Sequence, residues 1–296
     1  MKKTAIISIL MALVLVSGCS ATPKTTKKTI AVGIPPLAGF IENIAGDNFD
    51  IVVLIPAGNS PANYQPTALE MQKLSVAELY FTLEMPTEAA NILPKAYDFN
   101  KDLKIINLRE EVSNVYPLLE ASGHSHDESD NEEEPSLDPH LWLSPKRSIE
   151  MVKIMERELS AVDAENSEIY NANAAEYISR LEELDRNIKE AVQKLDNKSF
   201  MIYHGSYTYF ADDYGLEMIS LEVAGKKATA SEIQEVIEHA KEENIKIVFF
   251  QDEFDDNQAR TVAAEIGGRV EKASPLSRDY IKALNDFLEV LIRQGE

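Results

Sequence analysis

Cysteine is almost absent from this chain of 296 residues, in which Cys19 is the only one. A single cysteine excludes an intramolecular disulfide, and it leaves no thiolate for a metal site or a nucleophile in the body of the chain. Basic residues are also few, with 29 Lys and Arg against 50 Asp and Glu and a formal net charge of −21. This balance opposes nucleic-acid binding and favours the attraction of cations.

Long apolar runs are confined to the N-terminus. Lys2 and Lys3 precede the apolar run Ala5–Val16, which is typical of a secretory signal and too short for a transmembrane helix of about 20 residues. The sequence Val16-Ser17-Gly18-Cys19 resembles a lipobox, the processing site of prokaryotic lipoproteins. This resemblance implies cleavage before Cys19 and a lipid on its sulfur.

We therefore expect residues 1–18 to be a signal peptide and residues 19–28 to be a lipidated cysteine with a flexible polar tether. Removal of Lys2 and Lys3 with the signal would take the net charge from −21 to −23. The body of the protein is then expected to be secreted and held by its lipid to the outer face of the cytoplasmic membrane.

The remaining chain predicts an α/β fold, because short apolar runs alternate with helical patterns. The predicted strands are 29–34, 51–55, 77–83, 103–107, 199–203, 216–221 and 245–250. The predicted helices are 37–45, 67–74, 87–96, 146–159, 164–195, 207–214, 230–243 with Ser231 as N-cap, 257–266 and 278–293. This order predicts two lobes, each with a mostly parallel sheet flanked by helices, joined by a long rigid backbone helix.

The long helix is predicted from one apolar stripe, whose members are Ile169, Tyr177, Leu181, Leu184, Ile188, Val192 and Leu195. At 1.5 Å per residue it would be roughly 48 Å long, enough to cross two lobes. The predicted domains are an N-terminal lobe at 29–143, connecting helices at 144–198 and a C-terminal lobe at 199–296. Within the first lobe, residues 123–137 are acidic, contain His124 and His126, and are expected to form a solvated loop.

The segment Asp138-Pro139-His140-Leu141-Trp142 places an imidazole between a carboxylate and the only tryptophan of the chain. Proline restricts the backbone beside His140. A metal-bound imidazole usually donates its other N–H to a carboxylate or carbonyl, so His140 is a candidate metal ligand. The alternative is a surface histidine in a proline-rich turn.

His204 directly follows a predicted strand, where ligands bind in open α/β sheets. One imidazole from each lobe would allow His140 and His204 to enclose a cation. His239 lies on a polar helix face and is expected at the surface.

With these residues, the chain resembles the lipoprotein metal-binding components of zinc and manganese ABC importers, the cluster A-I solute-binding proteins. The resemblance extends from about Thr29 to Gly295. The matching segments are Pro56-Ala57-Gly58 with Tyr64 and Pro66, Asp138-Pro139-His140-Leu141-Trp142, Tyr203-His204, Tyr209-Phe210, Tyr214-Gly215-Leu216, Ile247-Val248-Phe249-Phe250 and Pro275-Leu276. It implies one divalent cation between two α/β lobes, no organic cofactor, and a monomer that works with an ABC permease and its ATPase.

The sequence departs from that family at three positions that usually supply a ligand. Ala62 stands where a histidine is usual, Ser274 where an aspartate is usual, and Gln251 where an acid is often found. His140 and His204 therefore carry over as ligands, whereas a closed zinc site normally has four. The candidate additional ligands are Asp252, Glu253, His124 and His126, each of which could equally be a solvated side chain.

The resemblance favours a solute-binding lipoprotein that captures a divalent transition metal. Zinc is favoured over manganese, because Mn²⁺ sites usually contain more carboxylate. Three alternatives are a protein that binds a metal–chelator complex, a degenerate site with weak binding, and a surface lipoprotein for adhesion or metal buffering. An enzyme is least expected, because the patterns HExxH, GxSxG and the P-loop are all absent.

Overall fold

The computed structural model describes residues 27–121, 137–223, 226–254 and 256–295. It contains two parallel four-stranded sheets, which confirms the predicted fold class. The first sheet comprises β1 (Lys28–Val32), β2 (Phe49–Val53), β3 (Ala77–Thr82) and β4 (Lys104–Asn107), in the order β2-β1-β3-β4. The second comprises β5 (Ser199–Ile202), β6 (Glu217–Ser220), β9 (Ile247–Gln251) and β10 (Arg269–Ala273), in the order β10-β9-β5-β6. A small antiparallel hairpin, β7 (Glu222–Val223) with β8 (Lys226–Lys227), follows β6.

Helices flank both sheets. Those of the first half are α1 (Pro35–Ala45), α2 (Ala68–Leu74), α3 (Ala96–Phe99) and α4 (Leu108–Ser113). The connecting helices are α5 (Pro145–Val162) and α6 (Ser167–Val192). Those of the second half are α7 (Thr208–Tyr214), α8 (Ala230–Glu242), α9 (Asn257–Glu265) and α10 (Tyr280–Ile292).

Local chemistry explains why two predictions were inexact, namely the N-cap of α8 and the helix at 87–96. Thr229, and not Ser231, caps α8, because its hydroxyl accepts the N–H of Glu232 while the Glu232 carboxylate accepts the N–H of Thr229. The predicted helix 87–96 is irregular: a π turn (Glu88–Ile92) and a 3-10 turn (Leu93–Lys95) precede α3. Pro94 lies in that 3-10 turn, and a proline has no N–H to continue a regular helix.

The long helix α6 has 26 residues and is therefore about 39 Å long, shorter than predicted. Its buried stripe begins at Tyr170, one residue after the predicted Ile169, which is 54% exposed. Tyr170 lies seven residues before Tyr177, which is the spacing that two helical turns require. One face of α6 contacts α5 and α1, and α10 also packs against it, so this helix joins both halves of the molecule.

Polar contacts tie the two halves together near the start of α5. The indole Nε1 of Trp142 donates to the carbonyl oxygen of Pro275 at 2.8 Å. Asp213 of α7 accepts from the hydroxyl of Ser144, the N-cap of α5, and pairs with Lys146. These contacts hold the segment that carries His140 against the second half of the chain.

Candidate metal centre

His140 is fixed by the buried Asp138. The Asp138 carboxylate Oδ1 accepts the backbone N–H of His140 at 2.7 Å and lies 2.9 Å from its ring nitrogen Nδ1. The Asp138 main chain is held in turn, because its N–H donates to the carbonyl of Leu119 and its carbonyl accepts from the hydroxyl of Tyr209, both at 2.8 Å. Only 12% of the His140 side chain is exposed. Asp138 therefore fixes the orientation of the His140 imidazole.

His204 follows β5 at the carboxyl edge of the second sheet. Its Nδ1 lies 2.5 Å from Oε2 of Glu222, which begins β7. The side chain of Phe254 packs beside it, with 4.9 Å between the ring centroids. His204 thus has the same arrangement as His140, with a buried carboxylate on Nδ1 and an aromatic neighbour.

The two imidazoles meet at Nε2. The distance between the Nε2 atoms of His140 and His204 is 3.4 Å. Two imidazole nitrogens at about 2.0–2.1 Å from one tetrahedral zinc ion are also separated by roughly 3.4 Å. Ionised carboxylates only accept hydrogen bonds, so in each neutral ring Nδ1 carries the proton and Nε2 keeps a free lone pair. The arrangement is therefore suited to bind one cation between the two rings.

The rings lie in a cleft of about 400 Å³ that is lined by residues from both halves of the chain. Ala62 lines this cleft, whereas Ser274 does not, and its neighbours Pro275 and Leu276 do. Gln251 also reaches the cleft wall, but its side chain is fully buried and bonded to the main chain of His204. The positions that usually supply further ligands thus supply none here.

Glu253 and Asp252, the two acids among the candidate additional ligands, differ in position. Glu253 lines the cleft, and burial raises the pKa of its carboxyl, with the nearby charge of Asp252 acting in the same direction. Asp252 is about half exposed, pairs with Lys272 and does not line the cleft, so the structure does not bring it to the imidazoles. Over the described ranges, no group of three or more His, Cys, Asp or Glu side chains is arranged to hold a metal ion.

Three other predicted site residues, Cys19, His124 and His126, lie outside the described residues. His239 is at the surface beside Glu217, as expected. In the part of the chain that the structure describes, no helix combines the length and the apolar character needed to cross a bilayer.

Sequence reasoning missed the roles of Glu222 and Gln251. A signal for both was present, because each residue stands at the carboxyl end of a predicted strand, where the same rule had placed His204. It also missed the ion pair between Glu84 and Arg109, which forms part of the cleft wall. Glu84 follows β3 and Arg109 follows β4, so these residues too lie at the carboxyl edge of a sheet.

Two α/β halves with paired imidazoles in the cleft between them define a two-lobed solute-binding protein. The sequence profile of the zinc-uptake complex component A family (ZnuA, periplasmic) matches residues 30–294. The chain belongs to this family, which confirms the resemblance found from the sequence.

The relatives include proteins named for zinc. The chain is 28% identical over 299 residues to the zinc-binding lipoprotein AdcA of Streptococcus pneumoniae (strain ATCC BAA-255 / R6), a match that covers 98% of the chain and 59% of AdcA. It is 27% identical over 269 residues to the high-affinity zinc uptake system protein ZnuA of Bacillus subtilis (strain 168), covering 87% and 81% of the two chains. The chain thus spans little more than half the length of its AdcA relatives.

Solved structures share the fold. A crystal structure of ZnuA superposes with a TM-score of 0.82 at 32% identity, covering 92% of this chain and all of that one. A manganese-bound periplasmic metal-binding protein from Candidatus Liberibacter asiaticus superposes with a TM-score of 0.75 at 22% identity, covering 90% of this chain and 99% of that one. At that identity the second match shows the fold alone.

Proposed function

We propose that this protein is the extracytoplasmic solute-binding component of an ABC importer and that it captures a divalent transition metal in its cleft. His140 and His204 are the protein ligands, and zinc is the favoured ion. The observation that carries the proposal is the 3.4 Å separation of the two Nε2 atoms, with a carboxylate on each Nδ1. The names of the AdcA and ZnuA relatives support zinc.

Chemistry within the cleft also favours zinc over manganese. Imidazole nitrogen suits zinc, whereas manganese prefers several oxygen ligands. Asp138 and Glu222 are oxygen donors, but each is already engaged with Nδ1 of a histidine. Such carboxylates orient the ring and raise the basicity of the metal-binding nitrogen.

The cellular setting of the proposal rests on the sequence. A lipid on Cys19 would anchor the protein to the outer face of the cytoplasmic membrane, with residues 19–28 as tether. The captured ion would then be delivered to a permease driven by its ATPase, with the binding protein acting as a monomer.

Isothermal titration of the full chain with Zn²⁺ and Mn²⁺ tests this function. We expect one zinc ion per chain, weaker manganese binding, and loss of zinc binding in His140→Ala and His204→Ala. His239→Ala is the matched control, because that imidazole is at the surface and beside a carboxylate as well. Equal and weak zinc binding by the wild type and by a variant with both His140→Ala and His204→Ala would contradict capture of the free ion.

A further inference from the structure

The paired imidazoles leave half of a tetrahedral coordination sphere open. A zinc ion held by His140 and His204 needs about two more donors. Ala62 has none to offer, and the amide of Gln251 is held by the main chain of His204. Within the described residues, Glu253 could supply one of these donors, and the others would be water or groups of the ligand itself.

The cleft has room for more than a cation and two waters. A water molecule takes up about 30 Å³, so a zinc ion with two waters would fill less than roughly a quarter of the space. The cleft volume of about 400 Å³ is within the range of small-molecule sites, which begins near 300 Å³. Much of the wall is apolar, with Met85, Pro86, Phe254 and Leu276 among its residues. Such a wall is suited to an organic molecule and contributes nothing to a hydrated ion.

One strong anion-binding group faces this space. Arg109 lines the cleft, and no other lysine or arginine among the described residues does so. The Arg109 Nη2 donates a hydrogen bond to the Glu84 carboxylate. Within the described residues, this is the one hydrogen bond of the Arg109 side chain. Arginine has five donors in a planar fork that matches a carboxylate in two-point contact. The ion pair is accessible from the cleft, because 23% of the Arg109 side chain and 32% of the Glu84 side chain remain exposed.

The backbone around Glu84 is fixed by neighbouring residues of the first half of the chain. Glu84 itself has φ of 54°, an uncommon value for a residue with a side chain. This turn is held by the buried Glu88, whose carboxylate accepts the N–H groups of Leu83 and Met85 at 3.2 and 2.9 Å. Left-handed residues that the surroundings fix in this way cluster at ligand sites.

We propose that the solute is a divalent metal already chelated by a small molecule that bears a carboxylate, with Arg109 binding that carboxylate and the chelator filling the positions opposite His140 and His204. This inference rests on the proposed metal capture and names the form in which the metal arrives. Ala62 leaves the space that the chelator occupies. Glu84 holds Arg109 in place until the ligand carboxylate shares its donors.

Two chelators that differ only in a carboxylate test the proposal. Zinc with one equivalent of L-histidine, zinc with one equivalent of histamine, and zinc alone are titrated into the full chain. We expect the histidine complex to bind at least about tenfold more tightly than the histamine complex and than zinc alone. Arg109→Gln should remove the preference for histidine over histamine, and Glu84→Gln, which frees the guanidinium, should increase it. The control Arg260→Gln changes an arginine of α9 that pairs with Asp256, and it should leave the preference unchanged.

The outcomes separate this proposal from the proposed function. Equal binding of the histidine and histamine complexes, or a preference that survives in Arg109→Gln, overturns the carboxylate-bearing chelator. Tight binding of zinc alone that the chelators do not improve also overturns it, while metal capture stands. If none of the three forms of zinc binds, metal capture itself fails.

Discussion

Gln251 bonds to both main-chain groups of His204. Its Oε1 accepts the His204 N–H at 3.2 Å, and its Nε2 donates to the His204 carbonyl at 2.8 Å and to the hydroxyl of Ser206 at 3.1 Å. An amide can do this because it has both a donor and an acceptor, whereas a carboxylate only accepts. Gln251 thus holds the main chain of His204 in place at the carboxyl edge of the second sheet.

We predict that Gln251→Glu lowers the free energy of unfolding at neutral pH by about 2–3 kcal/mol, because a buried carboxylate would face a carbonyl oxygen without a donor. It should not raise zinc affinity, although the family often has an acid there. Urea denaturation and zinc titration measure the two effects, with the exposed Gln234→Glu as control. Tighter zinc binding with unchanged stability would mean that the new carboxylate had turned toward the metal.

The carboxylate behind His204 gives a second prediction. Glu222→Gln should weaken zinc binding by about 10–100-fold, because it removes the charged acceptor that fixes the ring and raises its basicity. Asp138→Asn should act in the same way on His140. Titration with zinc gives the affinities, and Glu271→Gln, a partly exposed carboxylate beside Arg269, serves as the control. Wild-type affinity in both variants would show that the carboxylates do not support the ligands.

A third prediction concerns the space beside Ala62. Ala62→His places an imidazole at the cleft, so the affinity for free zinc should rise by at least about tenfold, which is about 1.4 kcal/mol of added binding energy. The same side chain would take space from a chelator, so any preference for zinc–histidine over zinc alone should fall. Ala57→His lies on the same loop outside the cleft and is the control. Unchanged zinc affinity in Ala62→His would place residue 62 too far from the rings.

A fourth prediction uses pH at the junction of α5 and α6. Hydrogen bonds from the Tyr170 hydroxyl at 2.5 Å and from Asn166 at 2.8 Å lower the pKa of Asp163. A lowered carboxyl pKa stabilises the fold above the unfolded value of about 4, and this contribution disappears as the pH falls through the folded value. Asp163→Asn should therefore cost about 1 kcal/mol at pH 7, a figure reduced for solvent screening, and progressively less as the pH falls below about 4.

Denaturation of wild type and Asp163→Asn at several pH values measures this effect. Asp98→Asn, an exposed carboxylate in α3, is the matched control and should show little difference at any pH. A stability difference for Asp163→Asn that is constant from pH 7 to pH 2 would contradict the role of the charge.

Much of the fold could be predicted from the sequence, because buried parallel strands leave continuous apolar runs and helices leave periodic stripes. β10 was missed because its sequence RVEKA has no apolar run, and α4 because six residues are too few for a helical period. His140 and His204 could be predicted from the residues around them and from strand ends. The pairing of Glu222 with His204 could not, since it depends on how a hairpin folds back after β6.

Trp142 is the only tryptophan in the chain, and its ring centroid lies 5.2 Å from that of His140. All indole fluorescence of the protein therefore originates beside the candidate metal centre. A cation that binds Nε2 of His140 changes the charge next to the indole, so emission should change as the site fills. The native chain thus carries its own optical probe, and stopped-flow measurements could follow metal or chelate exchange without any added label.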